Sequence, residues 1–218
     1  PLTEGSAASA PRLARDRLVY VRESLAAPAD LYAVPLAGGD PVRLTAVNED
    51  RLRDVELAGY EQFSFAGAGD ETVYGYVMRP IGFDEGERYP IAFLIHGGPQ
   101  SSFGEGWSYR WNPQFYASLG YGVVMVDFHG SVGYGQDFTD SINRDWGGKP
   151  LADLERGLDA AIEQNPWLEA DNACALGASY GGYMINWTAG NWPDRFRCLV
   201  NHDGLFDLRS FYYSTEEL

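Results

Sequence analysis

The sequence predicts an α/β fold, a mostly parallel sheet covered by helices, entered through antiparallel strands and preceded by a short antiparallel β segment. Three observations predict it. Apolar runs bounded by turn residues alternate with helical stretches through the second half of the chain, the pattern of strands buried on both faces. LADLERGLDAAIEQN places Leu151, Leu154, Leu158, Ala161 and Ile162 on one helical face. Upstream, short β-rich runs recur at even spacing with turn residues between them.

Along the chain, residues 1–10 are small, polar and flanked by proline, and read as a linker or a cut edge. From Leu18 come RLVYVRES, a Pro-Ala-Asp turn, DLYAVPL, an Ala-Gly-Gly-Asp turn and PVRLT. About 40 residues of this kind are too few for an independent β domain and look like one blade of a repeat architecture. After Arg53 the organisation changes. VELAGYEQFSFAG and ETVYGYVMRP form a hairpin through Ala-Gly-Asp. YPIAFLIHGG is a strand, NPQFYASLG a short helix and YGVVMVDF a second buried strand. Pro150 suits the first turn of the long helix that follows. NACALGAS is a third strand, SYGGYMINWTAGN a helix and RCLVNHDG a fourth strand. The chain therefore divides into 1–53, a linker and a blade fragment, and 54–218, the α/β portion.

The 218 residues are 45% hydrophobic and 14% aromatic, enough to pack a core. A formal net charge of -15 repels phosphate backbones and excludes nucleic acid as a partner. No acidic block stands out, so the charge reads as a solubilising surface, though it also suits a cationic ligand such as a peptide amino terminus. No apolar run approaches the ~18 residues that span a membrane. The amino terminus has no apolar signal core, and a cleaved signal would leave no trace. Cys174 and Cys198, each in an apolar run, read as two neighbouring buried thiols rather than a disulfide. No metal or organic cofactor is implied.

Gly177-Ala178-Ser179-Tyr180-Gly181 matches Gly-x-Ser-x-Gly between a buried strand and a helix. A nucleophile turn is too tight for bulky neighbours, and Gly177, Gly181 and Gly182 supply the space. The turn lifts the serine oxygen above the sheet and aims a helix amino terminus at it, where backbone amides stabilise an oxyanion. The competing explanation is a serine in a tight turn with no chemistry. A dinucleotide fingerprint or a P-loop requires other spacings. Upstream, His96-Gly97-Gly98-Pro99 leaves a strand at the position where α/β-hydrolases lend a second oxyanion donor. The amide of Gly98 pairs with that of Tyr180 in this role, and His96 itself reads as structural. DFHGSVGYGQDF, residues 127–138, reads as a wide loop at the active-site rim, with His129 a packed or hydrogen-bonded residue. GWSYRW, at 106–111, is either a substrate wall or packing against a neighbouring domain.

Together GASYGGYM, HGGPQ, HGSVGYG and WGGKPLADL resemble the prolyl oligopeptidase family of serine peptidases, over about residues 18–218. HGS in place of the family's commoner Arg-Gly-Ser, and the tail NHDGLFDLRSFYYSTEEL, point to its dipeptidyl peptidase V subgroup. The resemblance implies an α/β-hydrolase fold capped by a β-propeller, of which 18–50 is the last blade, with a sheet incomplete at its carboxyl end. It implies Ser179 as nucleophile, Tyr180 and the HGGP loop as oxyanion donors, and short peptides as substrates, with release of amino-terminal dipeptides. It also implies a periplasmic or secreted protein.

An α/β-hydrolase triad runs Ser, Asp, His along the chain. After Ser179 the only histidine is His202, and the only acid between them, Asp194, falls in a loop at the opposite end of the sheet. His202 therefore reads as a strand-end residue and a poor base, with Asp203 and Asp207 beside it. The expected partner is the remaining carboxyl-terminal part of the catalytic domain, and the 218 residues alone are expected to be inactive. No group that grips a substrate amino terminus stands out, Glu216 and Glu217 being acidic candidates near the rim. An acylaminoacyl peptidase or esterase shares every motif, and a non-catalytic binding module is the alternative of another class.

Overall fold

The computed structural model describes residues 5–215; Glu216 and Glu217 lie outside the described residues. Two sheets make up the molecule. The first is antiparallel and four-stranded, in the order β1 (Ala7–Ala14), β2 (Arg17–Ser24), β3 (Ala27–Pro35), β4 (Val42–Arg43). A short helix, α1 (Glu49–Leu52), follows. Residues 7–10, expected to be linker, thus belong to a strand, Ala7–Ala14, paired with β2. Pro11 hid it: proline is tolerated on an edge strand at a bulge, and the register shifts between Ser9 and Arg12, where Ala10 has φ 48°. The expected Pro-Ala-Asp turn is also displaced. Those residues lie within β3, and the chain reverses between Ser24 and Ala27.

The second sheet is six-stranded, in the order β10-β9-β7-β8-β6-β5. Its strands are β5 (Tyr60–Ala66), β6 (Thr72–Met78), β7 (Tyr89–Ile95), β8 (Gly122–Asp127), β9 (Leu168–Ala178) and β10 (Cys198–His202). β7 is parallel to both β8 and β9, and β9 to β10, whereas β6 runs antiparallel to β8 and β5. The helices are α2 (Pro113–Ser118), α3 (Gln136–Asp140), α4 (Lys149–Gln164), α5 (Tyr180–Asn191) and α6 (Leu208–Ser214). Because β7 has its successor on one side and β9 on the other, the order reverses there, and the carboxyl ends of β7 and β9 flank a crevice of the kind α/β proteins use for ligands.

Alternation along the strands builds two cores. Phe93, Ile95, Val124 and Val126 face Leu154, Leu158 and Ala161 of α4 and Met184 of α5. Ala92, Leu94, Val123 and Met125 face the other way, onto Ala117 of α2 and Leu25 of the antiparallel sheet. Gln114 secures this second contact. Buried, it donates to the carbonyls of Leu25 and Ala58 at 3.0 Å each and accepts from the Ala58 amide at 2.7 Å. One position on the inner face of α4 breaks the apolar pattern: Asp153, fully buried, accepts from the amides of Ala68 and His129, both at 2.7 Å.

Two expectations are corrected at the sheet's end. β10 is exposed along its length rather than buried, because it is the outermost strand among the described residues. Cys174 and Cys198 form a disulfide rather than two thiols. Parallel pairing of β9 with β10 sets the two residues opposite each other with Cα atoms 4.7 Å apart, within disulfide reach.

Candidate active site

β9 ends at Ala178 and α5 begins at Tyr180, which leaves one residue for the turn. That residue, Ser179, has φ 58° and ψ -119° and is exposed. A left-handed conformation at a non-glycine residue costs energy and persists only where the surroundings impose it. They do so here through glycines. A β-carbon on Gly177 would overlap the carbonyl of Gly181, one on Gly181 would overlap the carbonyl of Ile95, and one on Gly182 would meet Gly204. The Ser179 amide donates to the His202 carbonyl at 3.0 Å, fixing the turn to β10.

Asn201, which the sequence reading passed over, closes the same corner. Its amide nitrogen donates to the Gly182 carbonyl at 3.0 Å and to Asn186 Oδ1 at 2.9 Å, while its oxygen accepts from the Gly204 amide at 2.9 Å. An asparagine in an apolar strand is the one signal that marks it.

The HGGP loop lies on this turn. At Gly97 a β-carbon would stand 2.9 Å from the Ala178 carbonyl oxygen and 3.4 Å from Ser179 Cβ. Gly98 has φ 120°, and it and Ser179 line one cavity of about 600 Å³. The Tyr180 amide belongs to the first turn of α5, whose N–H groups have no acceptor within the helix. The Tyr180 side chain points away, fully buried, its hydroxyl donating to the Trp146 carbonyl at 2.6 Å. Burial pushes the Tyr180 phenol above its ordinary range.

Leu25, Phe103, Trp111, Pro113 and Tyr116 give the cavity an apolar wall, with Leu25 reaching in from the antiparallel sheet. The GWSYRW segment divides between the cavity and the amino-terminal part of the chain. Gly106, Ser108 and Trp111 line the cavity, while Tyr109 Oη accepts from Asn48 Nδ2 of the neighbouring unit at 3.4 Å.

The three histidines have separate surroundings. His129 is fully buried, its Nδ1–H donating to Asp153 Oδ2 at 2.6 Å and its ring stacked on Phe138. His96 is also buried, 8% exposed, at the cavity's edge. His202 lines the cavity with Ser179, its Nε2 3.0 Å from Asp203 Oδ2 and its ring edge-on to Trp111 at 5.0 Å. Among the described residues no side chain hydrogen-bonds the Ser179 hydroxyl.

Comparison with known proteins shows what the chain is similar to. Residues 107–218 match the family described as Prolyl oligopeptidase family. Dipeptidyl-peptidase 5 of Schizosaccharomyces pombe is 39% identical over 223 residues, covering 100% of this chain and 32% of the relative. An acylaminoacyl peptidase solved in complex with Z-Gly-Gly-Phe-chloromethyl ketone superposes with a TM-score of 0.86 at 27% identity, over 97% of this chain and 33% of that one. Pyrococcus horikoshii acylaminoacyl peptidase gives a TM-score of 0.81 at 27% identity, over 94% of this chain and 32% of that one. The chain spans about a third of the length of these proteins.

Proposed function

We propose that this chain, which belongs to the prolyl oligopeptidase family, carries the nucleophile and oxyanion hole of a serine peptidase acting on short peptides. The observation that carries the proposal is Ser179, held exposed at φ 58° on the lip of an apolar cavity with the HGGP loop against it. Ser179 Oγ attacks the scissile carbonyl to form an acyl-enzyme, and the amides of Tyr180 and Gly98 hold the oxyanion. The base accepts the hydroxyl proton and passes it to the leaving amine; water then releases the acyl group.

That base is an Asp–His pair from protein outside these 218 residues. Support comes from the Ser179 hydroxyl, which has no hydrogen-bonded partner among the described residues, and from the exposed flank of β10. An unassisted serine is a weak nucleophile near neutral pH, so the 218 residues alone have at most the residual activity of an oxyanion hole. One observation favours a second reading of the base: His202, which lines the same cavity as Ser179, pairs with Asp203. His202→Ala in the full-length protein retains activity if the base lies elsewhere and abolishes it if His202 is the base.

Release of amino-terminal dipeptides is the proposed register, supported by the name of the S. pombe relative. The Cys174–Cys198 disulfide supports a periplasmic or secreted setting, where such bonds persist. The test is turnover of matched chromogenic dipeptide substrates by the full-length protein. Preference for free over acylated amino termini, lost in Ser179→Ala, is the expected result. Preference for acylated termini makes the protein an acylaminoacyl peptidase. Binding without turnover makes it a binding module.

A further inference from the structure

The ring of His96 ties together the two loops that flank the nucleophile turn. His96 is the first residue after β7, and its imidazole stacks on Phe128 at 4.2 Å and meets the Phe103 edge at 5.3 Å. Nδ1 lies 2.8 Å from the Gly97 carbonyl oxygen and Nε2 2.9 Å from Ser131 Oγ. A carbonyl oxygen only accepts, so Nδ1 carries the proton; Nε2 of the neutral ring then accepts from the Ser131 hydroxyl.

Ser131 is itself fixed. It is fully buried, its amide donates to the Phe128 carbonyl at 2.9 Å, and its carbonyl accepts from Thr139 Oγ1 at 3.0 Å. A second bond joins the same loops, from the Val132 amide to the Ser101 carbonyl at 3.0 Å. At the other end of the chain of contacts, Gly97 rests against Ala178 and Ser179. The orientation of the Gly97–Gly98 backbone thus depends on which nitrogen of His96 holds the proton.

We propose that His96 and Ser131 are positioning residues for the oxyanion hole: the Ser131 hydroxyl selects the Nδ1–H tautomer of His96, which holds the Gly97 carbonyl and so aims the Gly98 amide over Ser179. The assignment rests on Ser179 being the nucleophile. Neither side chain touches substrate in this role; both act through the loop backbone. Among the described residues, the charged group facing the ring is Asp127, whose Oδ1 is 3.9 Å from Nε2. That carboxylate is occupied by the Phe103 amide at 2.8 Å and by the hydroxyls of Ser102 and Tyr134, both at 2.6 Å. The ring's other neighbours are Phe128 and Phe103. Removing the Ser131 hydroxyl leaves Nε2 without its donor and beside Asp127, which favours protonation of the ring.

The experiment compares wild type, Ser131→Ala and Ser131→Thr in the full-length protein, by steady-state kinetics across pH. Fluorophosphonate labelling of Ser179 in the wild type is the entry condition. Expected for Ser131→Ala is a kcat lowered about tenfold with KM little changed, as loss of aim at a transition-state donor requires. The acid limb of its kcat profile moves to higher pH, and Ser131→Thr restores both. Where Ser131→Ala does not fold, Ser131→Cys, a weaker donor of similar size, gives a smaller drop with the same movement of the limb. An unmoved acid limb, or a drop that threonine does not restore, reduces Ser131 to a packing residue and overturns the proposal. A wild type that fails to label overturns the nucleophile assignment and this one with it.

Discussion

Ser179 holds φ 58° in a turn where backbone packs on backbone so closely that Gly177, Gly181 and Gly182 leave no room for a β-carbon. Gly181→Ala drives a methyl into the Ile95 carbonyl and is expected to cost ~1–3 kcal/mol, as overpacking does, with loss of Ser179 reactivity. Gly190, on the same helix, has open space around its β position. Gly190→Ala is therefore expected to be neutral or stabilising by ~0.5–1 kcal/mol, and thermal unfolding of the pair separates a steric effect from a helix-propensity effect. His96 adds a pH dependence. Burial holds its imidazole below the ordinary value, so the folded protein keeps the ring neutral where the unfolded chain already binds a proton, from about pH 6.5 downward. The stabilisation is full above that pH and is lost as pH falls through the folded-state value. His96→Gln is expected to flatten the acid side of the stability curve, measured by urea unfolding between pH 7 and 5. The glycines and the serine were legible in the sequence because the turn admits so few residue types. Ser131, Asn201 and Asp153 were not: each is an ordinary polar residue whose importance comes from neighbours distant in sequence.

At the scale of elements, apolar runs and helical periodicity identified β7, β8, β9, α4 and α5, since each buries a face whose spacing is written in the chain. β10 shows the limit. Cys-Leu-Val reads as a buried strand whether or not a neighbour covers it, and here it is exposed. α3 and α6, of 5 and 7 residues, are too short to carry a periodic signal. The disulfide that clips β10 to β9 closes a separation of 24 residues. Its removal by Cys174→Ala with Cys198→Ala is expected to cost ~3 kcal/mol, read as a shift in denaturant midpoint; an unchanged midpoint contradicts a clamping role. Gln114 joins Leu25, at the turn between β2 and β3, to Ala58, ahead of β5, by one hydrogen bond to the first and two to the second. Gln114→Leu strands their backbone partners and is expected to destabilise by ~1–3 kcal/mol, checked by calorimetry.

Over the whole molecule, the two sheets meet at the cavity that Ser179 opens into, with Leu25 from one and Trp111 from a loop of the other in its wall. Exposed apolar surface includes the free flank of the mixed sheet, on Val200 of β10, which also lines the cavity, and on Phe206, Tyr212 and Tyr213 around α6, the last at 86% exposure. A strand edge with such neighbours invites pairing. The 218 residues expressed alone are expected to self-associate, and sedimentation of a strictly monomeric chain contradicts that expectation. The most direct measurement is fluorophosphonate labelling located by peptide mass mapping, on the full-length protein, its Ser179→Ala variant and the 218-residue chain. Label on Ser179 in the full-length protein, with none in the variant and none in the 218-residue chain, is the predicted result. Strong labelling of the 218-residue chain puts the base inside it, at His202, and contradicts the account. Absence of label from the full-length protein removes Ser179 as the nucleophile.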